Sequence, residues 1–249
     1  MITAYYRPNT ILEALDLLKQ PDTHPLGGGT LLSQPKSAPI KVVDLQALGL
    51  NTVQKKGNQL EIGATATLQQ LFENDRAPAA LKAALKLEAP LNIRNAATIA
   101  GTLVTADGRS TVATVLLALD AKVTVNSDQS TIISLGDFLP LRPENLQGKL
   151  ITSIEIPLNA KLAFETVART RADKPIVCAA LAVWPSGRAR LALGGYGKAP
   201  LLAMDGTEAE GLEEAARNAF HEATDEWASA EYRMAVAATL AKRCFEQVV

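Results

Sequence analysis

Cysteine is almost missing from this 249-residue chain: Cys178 and Cys244 are the only two. They lie far apart and cannot supply the four thiolates of an iron–sulfur cluster. A structural disulfide between them is disfavoured in a reducing compartment. Cys178, inside Ile176-Val177-Cys178-Ala179-Ala180, reads as a core residue. Histidine is as scarce, and His24 and His221 make no metal-ligand spacing. Neither sign of charge is in excess, with 25 basic and 26 acidic residues. Nothing in that balance points to nucleic acid or an anionic membrane. No apolar run has the length of a membrane span. The start, MITAYYRPNT, lacks the basic-then-apolar order of a secretion signal. The cytoplasm is the expected location, with no nucleic-acid partner and no membrane insertion. No repeat of 20–50 residues is visible. What remains is an ordinary globular composition, 47% hydrophobic and 20% charged, on a chain long enough to bury a large core.

The chain reads as three stretches. In residues 1–50, Thr10-Ile11-Leu12-Glu13 is a capping box, and Ile11, Leu15 and Leu18 follow at helical spacing until Pro21. Short strands are expected around Pro25-Leu26 and over 41–45, joined by a connector that Pro35 and Pro39 keep irregular. In residues 51–158, Lys55-Lys56-Gly57-Asn58 signals a turn, and Gln59–Ile62 alternates as a strand. Thr67-Leu68-Gln69-Gln70 is a second capping box. Ala79–Leu87 is alanine- and leucine-rich and predicts a helix that Pro90 ends. Residues 122–125 and 150–156 alternate as strands. Residues 159–249 are strand-rich, with candidates Ala163–Arg169, Ile176–Trp184 and Ala189–Gly195. Thr207-Glu208-Ala209-Glu210 reads as a third capping box, starting a helix through Phe220. Ser229 caps the last helix, where Tyr232, Val236, Leu240 and Cys244 share a face.

Two loops of small residues stand out. Leu26-Gly27-Gly28-Gly29-Thr30-Leu31-Leu32 places three glycines between apolar anchors. Without Cβ atoms the backbone can press against a ligand, and successive N–H groups can form a nest for phosphate oxygens. It is neither GxGxxG nor a P-loop, since no Lys-Ser/Thr pair follows. The second stretch runs from Asn92 to Ala121. Thr98-Ile99-Ala100-Gly101-Thr102 combines small residues with two hydroxyls, and a buried helix from Val112 to Leu119 follows. Free N–H groups in such a loop, and at the start of the helix after it, suit an anion.

Together the loops carry a resemblance. Gly27-Gly28-Gly29-Thr30-Leu31-Leu32, Ile62-Gly63-Ala64-Thr65, Ile93–Thr102 and Leu116–Ala121 are similar to the FAD-binding medium subunit of the molybdenum hydroxylases, the xanthine dehydrogenase and aerobic carbon monoxide dehydrogenase family. Asp137-Phe138, Ile154-Glu155-Ile156-Pro157 and Glu231-Tyr232-Arg233 match more weakly. All run in family order, so the resemblance covers nearly the whole chain. It implies an α+β class and the two-lobed FAD-binding fold of the vanillyl-alcohol oxidase type. That fold has a small α/β lobe (1–50) and an antiparallel-sheet lobe (51–158), followed here by a C-terminal three-stranded sheet with helices (159–249).

The implied cofactor is FAD, and the implied partners are an iron–sulfur subunit and a molybdopterin-binding large subunit. By resemblance, Gly27, Gly28, Gly29, Thr30 and Leu31 approach the pyrophosphate from one side, and Thr98, Ala100, Gly101 and Thr102 from the other. The family commonly carries an acidic residue for the ribose where Thr111 stands here, and often a proline at Gly108. Thr111 is then a neutral ribose partner, and Asp107 is a second candidate whose bland alternative is a solvated turn carboxylate. Arg169, Arg171, Asp173 and Lys174 form a charged hairpin that the resemblance brings near the flavin ring; a solvated cluster is the alternative. No proton-transfer residue and no metal ligand is called for, because the cofactor carries the redox chemistry. The expected function is an electron-transfer subunit passing electrons from iron–sulfur centres through FAD to an external acceptor. Two alternatives stay open: an assembly subunit with weakened FAD binding, and a stand-alone flavin oxidoreductase of the same fold.

Overall fold

The computed structural model describes residues 1–34, 38–146, 148–170 and 172–249. Pro35, in the expected irregular connector, and Arg171, in the charged hairpin, lie outside the described residues.

The chain opens with β1 (Ile2–Tyr6), α1 (Ile11–Leu18), β2 (Thr23–Leu26) and β3 (Ile40–Asp44). The strands make a parallel sheet in the order β1-β3-β2. One more strand is present than the two expected, because β1 is mostly exposed and lacks an apolar face. The Thr10 hydroxyl accepts the Glu13 N–H, as the capping pattern predicts, and the Glu13 carboxylate reaches back to the Asn9 N–H. Ala14, Leu15 and Leu18 pack with Val43, Leu45 and Leu150.

Next come β4 (Val53–Lys56), β5 (Gln59–Gly63), α2 (Leu68–Glu73), α3 (Ala79–Glu88), α4 (Leu91–Arg94), α5 (Ile99–Thr105) and α6 (Thr111–Ala118). They are followed by β6 (Lys122–Asn126), β7 (Ser130–Ser134), α7 (Leu135–Phe138), α8 (Arg142–Leu146) and β8 (Leu150–Pro157). The strands form an antiparallel sheet in the order β4-β5-β8-β6-β7. The capping box at Thr67 is complete: its hydroxyl accepts the Gln70 N–H and the Gln70 side chain accepts the Thr67 N–H. Every residue of α6 is buried, as its apolar run predicts.

The last stretch holds β9 (Lys161–Val167), β10 (Val177–Val183), β11 (Ala189–Gly194), β12 (Leu201–Gly206), α9 (Leu212–Asn218) and α10 (Ala230–Val248). Its antiparallel sheet runs β12-β11-β10-β9, so it has four strands where three were expected. β12 pairs with β11 across a register shift at Leu191/Ala192 and does not alternate cleanly, which hid it. Thr207 therefore follows a strand instead of capping a helix. α9 begins only at Leu212, behind Gly211 at φ +75° and with no side-chain cap. Ser229 does cap α10, accepting the Tyr232 N–H at 3.2 Å.

This sheet is apolar on both faces. Ala180, Ala182 and Ala192 join the core that surrounds α6 and the five-stranded sheet. Ala179, Leu181, Leu191 and Leu193 face the core of α10, with Leu240, Ala241 and Cys244. Small alanines on one face let α6 lie close, and the middle and C-terminal stretches share a continuous core.

Candidate cofactor site

The glycine loop leaves β2 and meets the segment between α4 and α5. A Cβ on Gly28 would stand 1.6 Å from the Ala96 carbonyl oxygen, and one on Gly27 would stand 2.8 Å from the Thr98 hydroxyl. Glycine at 27 and 28 is thus what lets the two segments touch. Gly29 follows at φ +70°, a left-handed turn that glycine adopts without strain. The Gly29 carbonyl accepts the Ser33 N–H at 3.0 Å. The N–H groups of Gly27, Gly28, Gly29, Thr30, Leu31 and Leu32 have no acceptor among the described residues. Buried amides of a folded chain are nearly always paired. The six residues are half-buried or exposed, and a run of consecutive N–H groups of this kind can form a donor surface for an anion.

The second segment behaves differently from its sequence expectation. Thr98 is buried and caps α5, its hydroxyl accepting the Gly101 N–H at 3.2 Å. The Ile99 and Ala100 N–H groups donate to Ala66 and Ala64 carbonyls, and Thr102 N–H donates to the Thr98 carbonyl. The Thr102 hydroxyl also donates to that carbonyl, at 2.9 Å. The start of α5 has therefore spent its amides inside the protein, because residues 64–66 cross it. What this segment offers is a small, closely packed wall, the Thr98 hydroxyl proton and the Thr98 N–H.

Arg94 ends α4, just before this wall. It is buried, donates to Gln69 at 3.0 Å and to the Ala89 carbonyl at 3.0 Å, and lies 5.2 Å from the Phe72 ring. In sequence Arg94 stands only within the Ile93–Thr102 match, between Ile93 and Asn95, and nothing there signals its burial.

Asp107 lies just past the other end of α5, whose seven residues span about 10 Å, and Thr111 opens α6. Asp107 is half exposed; one oxygen accepts the Arg109 N–H at 2.9 Å and the other holds Lys174 Nζ at 2.6 Å. Arg109 donates to the carbonyls of Pro175 and Lys174, at 2.8 and 2.6 Å. Its guanidinium and that of Arg169 each lie 4.5 Å from the Trp227 ring. The charged hairpin is thus tied to the loop after α5, not merely solvated. Gly108 has a structural reason of its own: its N–H donates to the Gly197 carbonyl at 2.9 Å, which a proline could not do.

Thr111 points away from this surface. It is 1% exposed, and its hydroxyl donates to the Ala84 carbonyl at 2.8 Å, with Glu88 Oε2 at 3.0 Å. Glu88 also takes the Val112 N–H and the Ser110 hydroxyl, which places a carboxylate at the positive end of α6. The structure therefore brings Gly27 against Thr98 and Gly28 against Ala96, with Ala100, Gly101 and Thr102 following Thr98 on α5. It sets Asp107 at the far end of α5 and turns Thr111 inward.

Residues 1–159 match the family described as the FAD binding domain in molybdopterin dehydrogenase. The chain belongs to that family. The glyceraldehyde dehydrogenase medium chain of Sulfolobus acidocaldarius is 30% identical over 220 residues, covering 81% of this chain and 78% of that protein. A chain of the cyanide-inactivated Cu,Mo-CO dehydrogenase superposes with a TM-score of 0.83 at 25% identity, covering 100% of this chain and 98% of that one. A chain of the reconstituted CO dehydrogenase from Oligotropha carboxidovorans gives 0.82 at 26% identity, covering 98% and 96%. The chain is accordingly an α+β FAD-binding subunit of an oxidoreductase, with FAD as its cofactor. No helix among the described residues is long and apolar enough to cross a membrane. The residues present fit the group: a diphosphate needs uncharged donors without bulky side chains, and the Gly27–Leu32 amides supply them.

Proposed function

We propose that this chain passes electrons from iron–sulfur centres on a partner subunit, through FAD, to an external acceptor. It would do so in the cytoplasm, beside a molybdopterin-binding large subunit. The observation that carries the reading is the run of six N–H groups from Gly27 to Leu32 with no acceptor among the described residues, beside Thr98 and Ala96 through the glycine contacts. In it Gly27, Gly28, Gly29, Thr30 and Leu31 hold the pyrophosphate through main-chain donors. Thr98 adds its hydroxyl, while Ala100, Gly101 and Thr102 supply a wall small enough for close approach. Asp107 takes the ribose once it releases Lys174; Thr111 supports the loop from inside. Bound FAD would supply the redox chemistry. The chain's own part is to bind the group, orient it and exclude water from its phosphate side. Its two cysteines, both buried, cannot build an iron–sulfur centre, so those centres belong to other chains. In this reading the lobes are 1–50, 51–158 and 159–249.

Titration calorimetry of the purified chain with FAD tests this, together with the visible spectrum. Saturable binding is expected, and acid precipitation should release all flavin to the supernatant, because neither loop holds His, Cys or Tyr. A second reading, an assembly subunit that has lost tight FAD binding, draws on the Asp107–Lys174 ion pair and the inward Thr111 hydroxyl. Absence of FAD binding would leave that reading standing.

A further inference from the structure

Arg142 opens α8, and its guanidinium is surrounded by main-chain carbonyls. Nε donates to the Leu139 carbonyl at 3.0 Å. Nη1 donates to Ala106 at 2.6 Å, Leu103 at 3.1 Å and Val104 at 3.3 Å. Nη2 donates to Lys198 at 2.9 Å. No carboxylate among the described residues forms an ion pair with it. Three of these oxygens belong to the C-terminal end of α5, where the last carbonyls have no partner within the helix. The negative end of the helix dipole favours a cation there. A lysine cannot replace this fork, since its ammonium is a compact point charge with three donors.

The Lys198 contact widens the role. The segment containing it also bonds the loop after α5, through Gly195 N–H to the Gly108 carbonyl at 2.6 Å and Gly108 N–H to the Gly197 carbonyl. α5 is only seven residues long, so whatever fixes its last turn also sets its first. At that first turn Thr98 meets Gly27, and Ala96 just before it meets Gly28. Burial pulls the Arg142 pKa down, with the Asp107 carboxylate acting the other way. A solvated cation at the helix end would cap α5 without that desolvation.

We propose that Arg142 is a positioning residue for the cofactor site, clamping α5 between the turn before α8 and the segment after β11 so that Thr98 stays against the glycine loop. The inference rests on the FAD reading of that site. The test uses the full chain with R142M and R142K, and three readouts. These are FAD affinity, the visible circular dichroism of bound flavin, and hydrogen exchange of residues 98–106 in the cofactor-free protein. R142M should bind FAD about tenfold more weakly or worse. Its exchange should rise over 98–106 while β10 and β11 stay protected, and added methylguanidinium should restore both properties. R142K should fall between, with an altered flavin dichroism. Wild-type affinity and protection in R142M would overturn the proposal. So would protection lost equally from β10 and β11, which marks general destabilisation. If R142M does not fold, R142K decides by the same readouts. If wild-type protein binds no FAD, the functional reading fails, and the exchange measurement still decides whether Arg142 holds α5.

Discussion

Gly28 rests against the Ala96 carbonyl so closely that a Cβ would lie 1.6 Å from its oxygen. Backbone cannot yield there without separating the two loops. Gly28→Ala should therefore cost the ~1–3 kcal/mol of an overpacked site and abolish FAD binding. Gly101 differs: its Cβ would meet only the Thr98 hydroxyl, at 2.9 Å. Turning that hydroxyl aside loses a cap worth about 1 kcal/mol, while alanine within a helix returns about 0.5–1 kcal/mol. Gly101→Ala should melt close to wild type. Thermal denaturation of the two variants checks the contrast, equal melting temperatures meaning that the glycine loop is not seated on Ala96, and FAD titration checks the loss of binding in Gly28→Ala.

The two cysteines give a second prediction, at alkaline pH. Burial pushes both thiols up to about 12, with Thr114 lowering Cys178 only in part. They should resist iodoacetamide in the native state and react in denaturant. A thiol held protonated by the fold contributes stability fully present below its unfolded value near 9. That contribution is lost as pH rises through the folded value. Between about pH 9 and 12 the unfolded chain binds fewer protons, so stability falls. A C178A/C244A pair should show a shallower decline than wild type over that interval in urea unfolding, and an identical slope would refute the assignment.

Much of this fold was legible because its local signals agree. Thr10, Thr67 and Ser229 cap helices as read, and the alternation of residues 59–62, 122–125 and 150–156 predicts three central strands of the antiparallel sheet. What stayed hidden were edges. β1, β4, β7 and β12 each have one neighbour and exposed positions, so no apolar alternation marks them, and Lys55-Lys56, read as part of a turn, ends β4. Thr207 carried a valid capping pattern, but pairing of the preceding residues with β11 took precedence. At the site, small residues revealed where the loops lie, yet not which amides are free. That depends on residues 64–66 crossing the start of α5, a contact about 35 residues distant along the chain that no spacing encodes. Arg142 likewise gave no sign, because its partners are all carbonyls.

Arg233 yields a stability prediction. It is fully buried, donates to the carbonyls of Ile176, Ala223 and Ala228, and holds Asp225 at 2.7 Å beside the Tyr196 ring. Arg233→Met would strand these acceptors and free the turn before α10. Breaking such a buried pair costs roughly 3–5 kcal/mol, and the lower end applies because Asp225 is partly exposed. Burial alone would raise the Asp225 pKa, but Arg233 and the Trp227 and Ala228 amides outweigh it and hold it below its ordinary value. That contribution is present above the unfolded value and lost as pH falls through the folded one. Melting curves from pH 6 down to pH 3 should show D225N less acid-sensitive than wild type; parallel curves would exclude the pairing as a source of acid lability.

Thr111 supplies the last prediction, because its sequence position and its geometry point opposite ways. If residue 111 faced the ribose, Thr111→Asp would tighten FAD binding by the ~1.5–3 kcal/mol of a charged hydrogen bond. In the structure the side chain is buried against α3, 3.0 Å from Glu88 Oε2. A carboxylate there would confront another carboxylate, and one of the two would have to stay protonated. Thr111→Asp should therefore lower the melting temperature and leave the FAD affinity of the folded fraction unimproved, whereas Thr111→Ser should resemble wild type. Asp107 is the contrasting case. Its pair with Lys174 is half exposed on both sides, so opening it costs at most about 1 kcal/mol. A ribose hydroxyl donating to the freed carboxylate returns more than that. Asp107→Asn should weaken FAD binding about tenfold with little change in melting temperature. Calorimetric titration of both variants separates the two positions: tighter binding by Thr111→Asp would return the ribose to residue 111, and unchanged binding by Asp107→Asn would take it away from Asp107.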